Sequence, residues 1–373
     1  MHPVPQQTCR GSYNPATMNT ETDNNNKGKR WLQISILLLL VVVLVALVLL
    51  DRYRQFSNTV LDIPGEEMLY NVPPGSSLNR LAYDLHEQKI IRYPRLLILL
   101  GREMDAARRL QAGEYILQQG LTPRTLLQQL VDGEINQYKL TLIEGHSFRE
   151  MLQRVKEDPV LVQTLTDETD AEIMAMIGQP DQHPEGRFLP DTYYFTRGMT
   201  DVEFLARAYQ AMSDELSLAW DGREEGLPLQ TPYEALILAS IVEKETGVAE
   251  ERPVIAGVFV RRLQKGMRLQ TDPTVIYGMG EAFDGNIRKR DLLKDTPYNT
   301  YTRDGLPPTP IAMPGADAIH AALHPASGKS LYFVATGGGR HYFSVTLKQH
   351  NLAVDKYQRK KKGISLPPSG QAQ

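Results

Sequence analysis

The pattern of apolar and polar positions begins with an uninterrupted apolar segment near the N-terminus. Residues 31–50 read WLQISILLLLVVVLVALVLL and contain no charged side chain. At about 1.5 Å per residue, a helix of this length measures roughly 30 Å, the thickness of a bilayer core. A buried helix of a soluble protein or a cleavable signal peptide is the alternative. A signal peptide has a shorter apolar stretch that ends at small residues, whereas this one ends Leu49-Leu50-Asp51. The segment therefore predicts one uncleaved transmembrane helix.

The residues that flank this apolar segment predict its orientation. Three cations lie just before it, and two cations with one aspartate lie just after it. This small excess favours a cytoplasmic N-terminus, so that everything after Leu50 is exported. Residues 1–30 are rich in Asn, Gln and Thr, and they are predicted to form a disordered cytoplasmic tail.

Three short segments after the predicted span share one pattern, in which a β-prone run is followed by Gly-x-Ser/Thr and an amphipathic helix. The segments are 70–85, 115–130 and 140–155. The predicted turn glycines are Gly75, Gly120 and Gly145, and the predicted helix caps are Ser77, Thr122 and Ser147. The first segment resembles half of a LysM module, a fold of two strands and two helices that binds N-acetylated sugar chains. A generic α+β spacer is the alternative to a LysM-like module over residues 51–136.

From about residue 137 the pattern becomes mainly helical. Helices are predicted over residues 159–177, 201–218, 232–245, 252–265, 317–323 and 347–357. Residues 330–346 predict a β-hairpin, because two alternating segments flank three consecutive glycines. The predicted fold class is therefore α+β, with a helix-rich domain over 137–358 that contains a small antiparallel sheet. Residues 359–373 are predicted to be a solvated, flexible basic tail.

Composition and charge narrow the classes of function. The chain is 42% hydrophobic and 23% charged, which are ordinary values for a globular protein. Its net charge of −3 comes from 41 basic and 44 acidic residues, and this balance disfavours nucleic acid as a partner. The single cysteine, Cys9, excludes an intramolecular disulfide.

Short metal and nucleotide motifs are incomplete. His320 and His324 have the spacing of a zinc-protease helix, but Ala321 stands where that motif needs its glutamate. A membrane-tethered zinc hydrolase therefore lacks a complete ligand set. Residues 328–330 match the end of a phosphate loop, but the first glycine of that loop is replaced by Leu323. We therefore predict no metal and no cofactor.

Residues 232–245 predict a helix that is apolar almost all round and ends in Glu243-Lys244-Glu245. On a helical wheel, Glu243 shares a stripe with Leu236 and Ala239. A carboxyl group at the end of a buried helix is desolvated, which raises its pKa, and a general acid for glycosidic cleavage needs a raised pKa. The alternative is that Glu243 and Glu245 are structural and pair with nearby arginines.

Several longer motifs resemble the YceG-like family of endolytic murein transglycosylases. They are EGRFLPDTYYF (185–195), ASIVEKET (239–246), GMRLQTDPTVIYGMG (266–280), TPYNTYTRDGLPPTPIAMPG (296–315) and LYFVATGGGRHYFSVTLKQHN (331–351). The resemblance runs from about Val72 to Tyr357 and includes the single span and the LysM-like region. The chain departs from the family at residues 187–189, where the family often has tryptophan. This departure affects which side chains are expected in the sugar cleft and leaves the expected chemistry unchanged.

The resemblance implies a lyase that cleaves the β-1,4 bond between N-acetylmuramic acid and N-acetylglucosamine without water. The product has a 1,6-anhydro end, and the cut terminates elongation of nascent glycan strands. Glu243 matches the catalytic glutamate of the family, and Glu245 supports it. Because the muramyl 6-hydroxyl is the nucleophile, one carboxyl group is enough.

The resemblance also implies a setting and partners. The chain is expected in the inner membrane as a single-pass protein, with its catalytic domain in the periplasm. Its expected partners are peptidoglycan glycan strands and cell-wall synthases, the penicillin-binding proteins. The competing hypothesis is a non-enzymatic murein-binding scaffold that recruits those synthases through the LysM-like region. A scaffold has no need of a glutamate at the end of a buried helix.

Amides, hydroxyls and aromatic faces suit N-acetyl sugars, and residues of these types are clustered in the matching segments. The candidates for lining the cleft are Gln270, Thr271, Asp272, Tyr277, Tyr298, Asn299 and Tyr301, with Asp191 as a further polar group. Ordinary loop packing is the alternative for each of them.

Overall fold

The chain is α+β in class, as the sequence predicts. The computed structural model describes residues 21–370 and divides between residues 135 and 136 into two compact units. Among these described residues the strands form three separate two-stranded sheets, and each sheet is antiparallel.

The first helix, α1 (Glu21–Asn58), contains the predicted span. It is long and apolar enough to cross a membrane, and the side chains of residues 31–50 are exposed, as in a helix that faces lipid. The helix begins at Glu21, so residues 21–30 are helical and the prediction of a disordered tail is wrong there. Extending a helix that already exists adds one hydrogen bond per ordered residue, which explains the longer element. Residues 1–20 lie outside the described residues.

The remainder of the first unit is a small sheet covered by helices. Its elements are β1 (Glu67–Val72), α2 (Leu78–Glu87), α3 (Pro94–Glu103), β2 (Gly113–Gln118) and α4 (Pro123–Asp132). Strands β1 and β2 are antiparallel, with Tyr70 opposite Tyr115. Both tyrosines are buried in a core with leucines of α2, α3 and α4.

The predicted turn and cap residues of this unit are confirmed. Gly75 and Gly120 have φ values of 74° and 93°, a region that favours glycine. The Ser77 hydroxyl accepts a hydrogen bond from the N–H of Arg80 at the start of α2, and Thr122 caps α4 through a capping box.

The second unit is larger and mainly helical. Its elements up to α8 are β3 (Tyr138–Thr141), α5 (Phe148–Lys156), α6 (Asp170–Met176), β4 (Thr192–Phe195), α7 (Asp201–Asp221) and α8 (Pro232–Glu245). Those after α8 are α9 (Arg252–Gln264), α10 (Asp272–Met279), α11 (Lys289–Leu293), α12 (Ala316–Leu323), β5 (Tyr332–Gly337), β6 (Arg340–Ser344) and α13 (Leu347–Tyr357). Strand β3 pairs with β4, and β5 pairs with β6 as the predicted hairpin.

Helix α8 is the centre of the main core. Every residue from Ala235 to Val242 is buried, which confirms the prediction of a helix that is apolar almost all round. Helices α7, α9 and α12 pack around it. Because the charged end of α8 comes directly after this buried stretch, the core fixes the place of Glu243 and Glu245.

The predicted helix over residues 159–177 is shorter in the structure and comprises α6 alone. The Asp158 carboxylate accepts hydrogen bonds from the N–H groups of Val160 and Leu161, which holds the preceding chain in a turn. Thr169 then caps α6 with a capping box, and this cap sets the start of the helix.

The predicted solvated tail is wrong for the residues near its end, because they return to the outer edge of β6. The Tyr342 hydroxyl donates to the carbonyl oxygen of Pro367 at 2.7 Å. The N–H of Gly370 donates to the carbonyl oxygen of Phe343 at 3.0 Å. The N–H of Phe343 donates to the Ser369 hydroxyl at 3.1 Å. Since β5 covers only one edge of β6, the other edge has backbone groups that need partners, and the tail provides them.

Candidate active site

Glu243 lies in the last turn of α8, where the buried helix reaches the protein surface. Its Oε2 accepts a hydrogen bond of 3.2 Å from the N–H of Gly315, the residue that precedes α12. Burial raises the pKa of the Glu243 carboxyl, and the nearby carboxylates of Glu144 and Asp317 act in the same direction. The Gly315 N–H and the Arg252 guanidinium oppose this rise in the pKa. The result is a partly buried carboxyl group that binds its proton more tightly than an exposed glutamate does.

Arg252 lies near Glu243, but its ion pairs are with Glu144 and Asp317. It lies 3.7 Å from the Glu144 carboxylate and 3.0 Å from that of Asp317, and its side chain is 11% exposed. Within the described part of the chain, Glu243 itself forms no ion pair. The sequence-based alternative of an arginine-paired structural glutamate therefore does not apply to Glu243.

Two loops close around the end of α8. The Lys244 ammonium group donates to the carbonyl oxygen of Gly145 at 2.9 Å. The N–H of Gly145 donates to the carbonyl oxygen of Met313 at 2.9 Å. The N–H of Met313 in turn donates to the carbonyl oxygen of His146 at 2.7 Å. The loop before α5 and the loop before α12 are thus held to each other and to α8, which fixes the surroundings of Glu243.

Glu245 lies on another face of the same helical turn, because two residues advance a helix by about 200°. Its Oε1 accepts a hydrogen bond from the Thr271 hydroxyl. Burial raises the pKa of Glu245 to about 7, with a further rise from Asp272, while Thr271 and Arg262 oppose it. Glu245 is therefore bound to the segment that begins α10.

Four of the predicted cleft residues come together at the start of α10. Thr271 is the N-cap residue of α10 and is buried, and its N–H donates to the Thr300 hydroxyl at 3.1 Å. The Tyr301 hydroxyl donates to the Asp272 carboxylate at 2.6 Å. Gln270 has a φ of 52° and donates its N–H to the carbonyl oxygen of Thr300 at 3.1 Å. This segment connects Gln270, Thr271, Asp272 and Tyr301 to Glu245.

Tyr277 and Tyr298 form a second group together with Glu185. Their rings lie edge to face with centroids 4.9 Å apart. The Tyr277 hydroxyl donates to Oε2 of Glu185 at 2.9 Å, and the N–H of Phe148 donates to Oε1 of Glu185 at 2.9 Å. Glu185 is 3% exposed, and burial raises its pKa to about 7.

Glu185 is a candidate that the sequence reasoning missed. It opens the matching segment 185–195, from which the sequence analysis selected only Asp191. The signal that could have found it is its place in that matching segment, as the glutamate directly before Gly186. Burial and the partner Tyr277 depend on chain segments far apart in sequence, so they could not be inferred locally.

A cavity of about 950 Å³ adjoins these groups. Gly145, Lys244, Glu185 and Tyr277 are among the residues that line it, and Gly145 and Lys244 are also neighbours of Glu243. This volume lies within the usual range for ligand sites, about 300–1,000 Å³. The cavity therefore extends from the end of α8 toward the tyrosine pair.

Asp191 and Asn299 lie apart from this arrangement. The Asp191 side chain is exposed at the start of β4 and accepts a hydrogen bond of 2.6 Å from the N–H of Thr192. Asn299 is fully buried, and its amide donates to the carbonyl oxygens of Leu292 at 3.1 Å and Lys294 at 2.7 Å. Asn299 thus shapes its loop, which corrects the prediction that it lines the cleft.

The histidine pair of α12 has other contacts in the structure. The His320 and His324 rings stack with centroids 4.2 Å apart. Both nitrogens of His324 lie near carbonyl oxygens, at 2.9 Å from Gly222 and 3.2 Å from His320. Over residues 29–370, whose side chains the structure describes, no three His, Cys, Asp or Glu side chains form a group that could hold a metal ion.

Comparisons with known proteins point to one family. The model of the YceG-like family matches residues 70–356. The endolytic murein transglycosylase of Bacillus subtilis is 30% identical, over 83% of this chain and 88% of its own length. The enzyme of the same name from Streptococcus pneumoniae is 26% identical, over 83% of this chain and 62% of its own length.

A solved structure is also similar to this chain. The crystal structure of a yceG-like protein from Listeria monocytogenes is 29% identical and covers 77% of this chain and 98% of its own, with a TM-score of 0.48. The family match begins within β1 and ends within α13, so it includes α8, α10 and residues 70–135 of the first unit, and it leaves α1 out.

Proposed function

The chain belongs to the YceG-like family, and on this premise we propose that it is a lytic transglycosylase that cuts peptidoglycan glycan strands internally. Relatives from two bacteria that bear the name endolytic murein transglycosylase support this activity. An enzyme that splits murein without adding water is a lyase. Membership of this family favours the enzyme over the non-enzymatic scaffold.

The reaction that we propose is cleavage of the β-1,4 bond between N-acetylmuramic acid and N-acetylglucosamine. Protonated Glu243 gives its proton to the glycosidic oxygen as the bond from that oxygen to the muramyl anomeric carbon breaks. The Glu243 carboxylate then takes the proton of the muramyl 6-hydroxyl, whose oxygen bonds to the same anomeric carbon. The products are a free 4-hydroxyl on N-acetylglucosamine and a 1,6-anhydro muramyl end. Glu243 recovers its proton, and no water is consumed.

The observation that carries this proposal is the state of the Glu243 carboxyl group. Its partly buried position raises its pKa, which favours the protonated form required for the first step. The Gly315 N–H stabilises the carboxylate that follows. Among the described residues only Oε2 is hydrogen-bonded, so Oε1 remains for the substrate.

The cavity beside the end of α8 is the proposed path of the glycan strand. Tyr277 lines this cavity and offers aromatic surface for a sugar ring, with Tyr298 packed against it. Gln270, Asp272 and Tyr301 do not line the cavity, and we propose them as polar groups for N-acetyl and hydroxyl substituents beyond it. Glu245 supports the site through its hydrogen bond with Thr271. Asp191 remains a more distant polar candidate of the same unit.

The proposed setting is the inner membrane. In this arrangement α1 anchors the chain, the N-terminus is cytoplasmic, and the second unit and the part of the first unit that follows α1 are periplasmic. In the first unit two helices, α2 and α3, lie between two paired strands in the order β1-α2-α3-β2. A LysM module also consists of two strands and two helices, and we propose that this unit binds glycan. Cutting of nascent strands then ends their elongation beside cell-wall synthases, which are the proposed partners.

The test is digestion of purified murein by the full chain in ¹⁸O-labelled water, followed by mass spectrometry. A lytic transglycosylase yields anhydro products that are one water lighter than hydrolysis products and contain no label. Labelled reducing ends would identify a hydrolase, and the absence of any cleavage would identify a binding scaffold.

A further inference from the structure

A second cavity lies in the first unit, beside the C-terminal end of α1. Its volume is about 980 Å³, and it is lined by the last turns of α1, the segment 59–62 and the connection between α2 and α3. Leu61, Ile90 and Ile91 are buried and form an apolar floor. The proposed cleavage reaction uses none of these residues.

The rim of this cavity is positively charged. Arg52, Lys89 and Arg92 line it and all three are exposed. Among the described residues, the charged group of none of the three has an ion pair or a side-chain hydrogen bond. Asp62 is the one acidic residue of the lining. Three free cations against one carboxylate favour an anionic ligand.

Helix α1 determines how far this cavity lies from the hydrocarbon core of the membrane, given our proposal that residues 31–50 cross that membrane. Arg52, Gln55 and Phe56 follow the last span residue on the same continuous helix. At about 1.5 Å per residue they lie roughly 3–9 Å beyond the hydrocarbon core. Since the headgroup region adds about 5–7 Å on each side of that core, the mouth of the cavity lies at the depth of the headgroups.

The end of α1 is attached to the unit that holds the cavity. The Tyr53 hydroxyl donates to the Glu103 carboxylate of α3, and Arg124 of α4 lies 3.2 Å from the same carboxylate. The N–H of Leu61 donates to the carbonyl oxygen of Leu121 at 2.8 Å. These bonds hold the cavity at a constant distance from the span.

We propose that this cavity binds the phosphate headgroup of an acidic phospholipid of the membrane that α1 crosses. The phosphate oxygens pair with Arg52, Lys89 and Arg92, while the apolar floor contacts the glycerol and upper acyl carbons. Phe56 and Tyr93 both line the cavity, with ring centroids 6.5 Å apart, and Tyr93 is 53% exposed. Tyrosine is enriched at the depth of the headgroups, which agrees with this placement. Soluble phosphate is also an anion with phosphate oxygens, but it leaves the apolar floor unused.

The test is native mass spectrometry of the full chain released from detergent micelles that contain phosphatidylglycerol and phosphatidylcholine in equal amounts. The cavity variant is Arg52→Gln/Lys89→Gln/Arg92→Gln. The matched control is Arg102→Gln/Arg108→Gln/Arg109→Gln, which changes the net charge equally at exposed positions of the same unit outside the cavity. We expect wild type and control to retain phosphatidylglycerol preferentially. At about fivefold per cation near a membrane surface, the cavity variant should lose roughly a hundredfold in affinity.

Three results would overturn the proposal. Equal retention of the two lipids by the wild type would remove the anionic preference. An equal loss in the control variant would show a general charge effect. Displacement of the lipid by inorganic phosphate at equal concentration would show a phosphate site without lipid preference. The readout is lipid retention, so it does not depend on whether the chain cleaves murein, and fractionation of membranes tests the span separately.

Discussion

Replacing Glu243 by glutamine is the most direct test of the proposed chemistry. Glutamine keeps the shape of the side chain, and its Oε1 can still accept the 3.2 Å hydrogen bond from the Gly315 N–H. It cannot donate the proton that the leaving oxygen needs. Because a general acid or base typically contributes about 10²–10⁴-fold, and Glu243 performs both roles, we expect a loss of at least about 10⁴-fold. That factor corresponds to about 5 kcal/mol of transition-state stabilisation.

The same substitution should change the stability of the fold very little. Glu243 is partly exposed and forms no ion pair in the described part of the chain, so the variant only exchanges a hydrogen bond to a carboxyl oxygen for one to an amide oxygen. We expect the free energy of unfolding to change by about 1 kcal/mol or less. Thermal unfolding of both proteins, monitored by circular dichroism, therefore separates a chemical loss from a folding loss.

The pH dependence gives a second signature of Glu243. The proposed reaction starts from the protonated carboxyl group, so the rate falls as the pH rises through the pKa of Glu243. Burial raises this pKa, which moves the fall to higher pH than for an exposed glutamate. Initial rates of anhydro-product formation, measured by mass spectrometry across pH 4–9, give the pH at which the rate falls.

Two matched variants complete the experiment. Glu245→Gln retains an acceptor for Thr271 and should lose less than about tenfold. Glu250→Gln replaces an exposed glutamate in the connection between α8 and α9 and should retain the wild-type rate. Near-normal turnover of Glu243→Gln together with an inactive Glu245→Gln would refute our choice of carboxyl group. Full activity of both would place the acid elsewhere in the unit.

Three further predictions follow from the surroundings of the site. Glu144→Gln removes a carboxylate that raises the pKa of Glu243, so the fall in rate at high pH should occur at a lower pH. The shift should be less than about one pH unit, because Glu144 is 47% exposed. An unchanged pH profile would contradict this coupling. Burial raises the pKa of Glu185 to about 7, so Glu185 stabilises the fold below its ordinary pKa of 4.5 and this contribution is lost as the pH rises through 7. Between pH 5 and pH 8, chemical unfolding should show a decrease in stability to which Glu185 contributes roughly 3 kcal/mol at most. Glu245 and Glu243 also have a raised pKa, so Glu185→Gln should make the decrease smaller without abolishing it. An identical decrease in the variant would assign all of it to other groups. Deleting residues 364–373 exposes the outer edge of β6 and should lower the melting temperature by several degrees, whereas an unchanged melting temperature would show that the tail contributes nothing.

Features that depend on neighbouring residues could be predicted from the sequence. The caps Ser77 and Thr122 are found because a hydroxyl two residues after a turn glycine can reach the first N–H groups of a helix. The bounds of α8 follow from Pro232 at its start and from the buried apolar stretch that ends before Glu243. The hairpin β5-β6 follows from alternation around three glycines.

Features that depend on distant segments were missed or misplaced. The tail was predicted to be solvated because its composition is basic, yet Ser369 and Gly370 find unpaired backbone groups on β6. Asn299 was selected for its amide, but that amide is used up within its own loop. Glu185 is buried by Tyr277 and Phe148, which lie far from it in the chain. None of these contacts has a local pattern.

Three glutamates in this unit have a raised pKa, so a perturbed pKa alone does not identify the catalytic group. Both oxygens of Glu185 accept hydrogen bonds from the protein, which leaves no oxygen placed to exchange a proton with a sugar. Glu245 is bound to Thr271 and lies on a different face of the helical turn. Glu243 has one oxygen held by a single backbone N–H and a position where α8 reaches the surface. A group that must donate a proton and then accept one needs this combination of partial burial and a free oxygen. On these grounds we propose Glu243, the residue that the family resemblance also indicates, as the catalytic group.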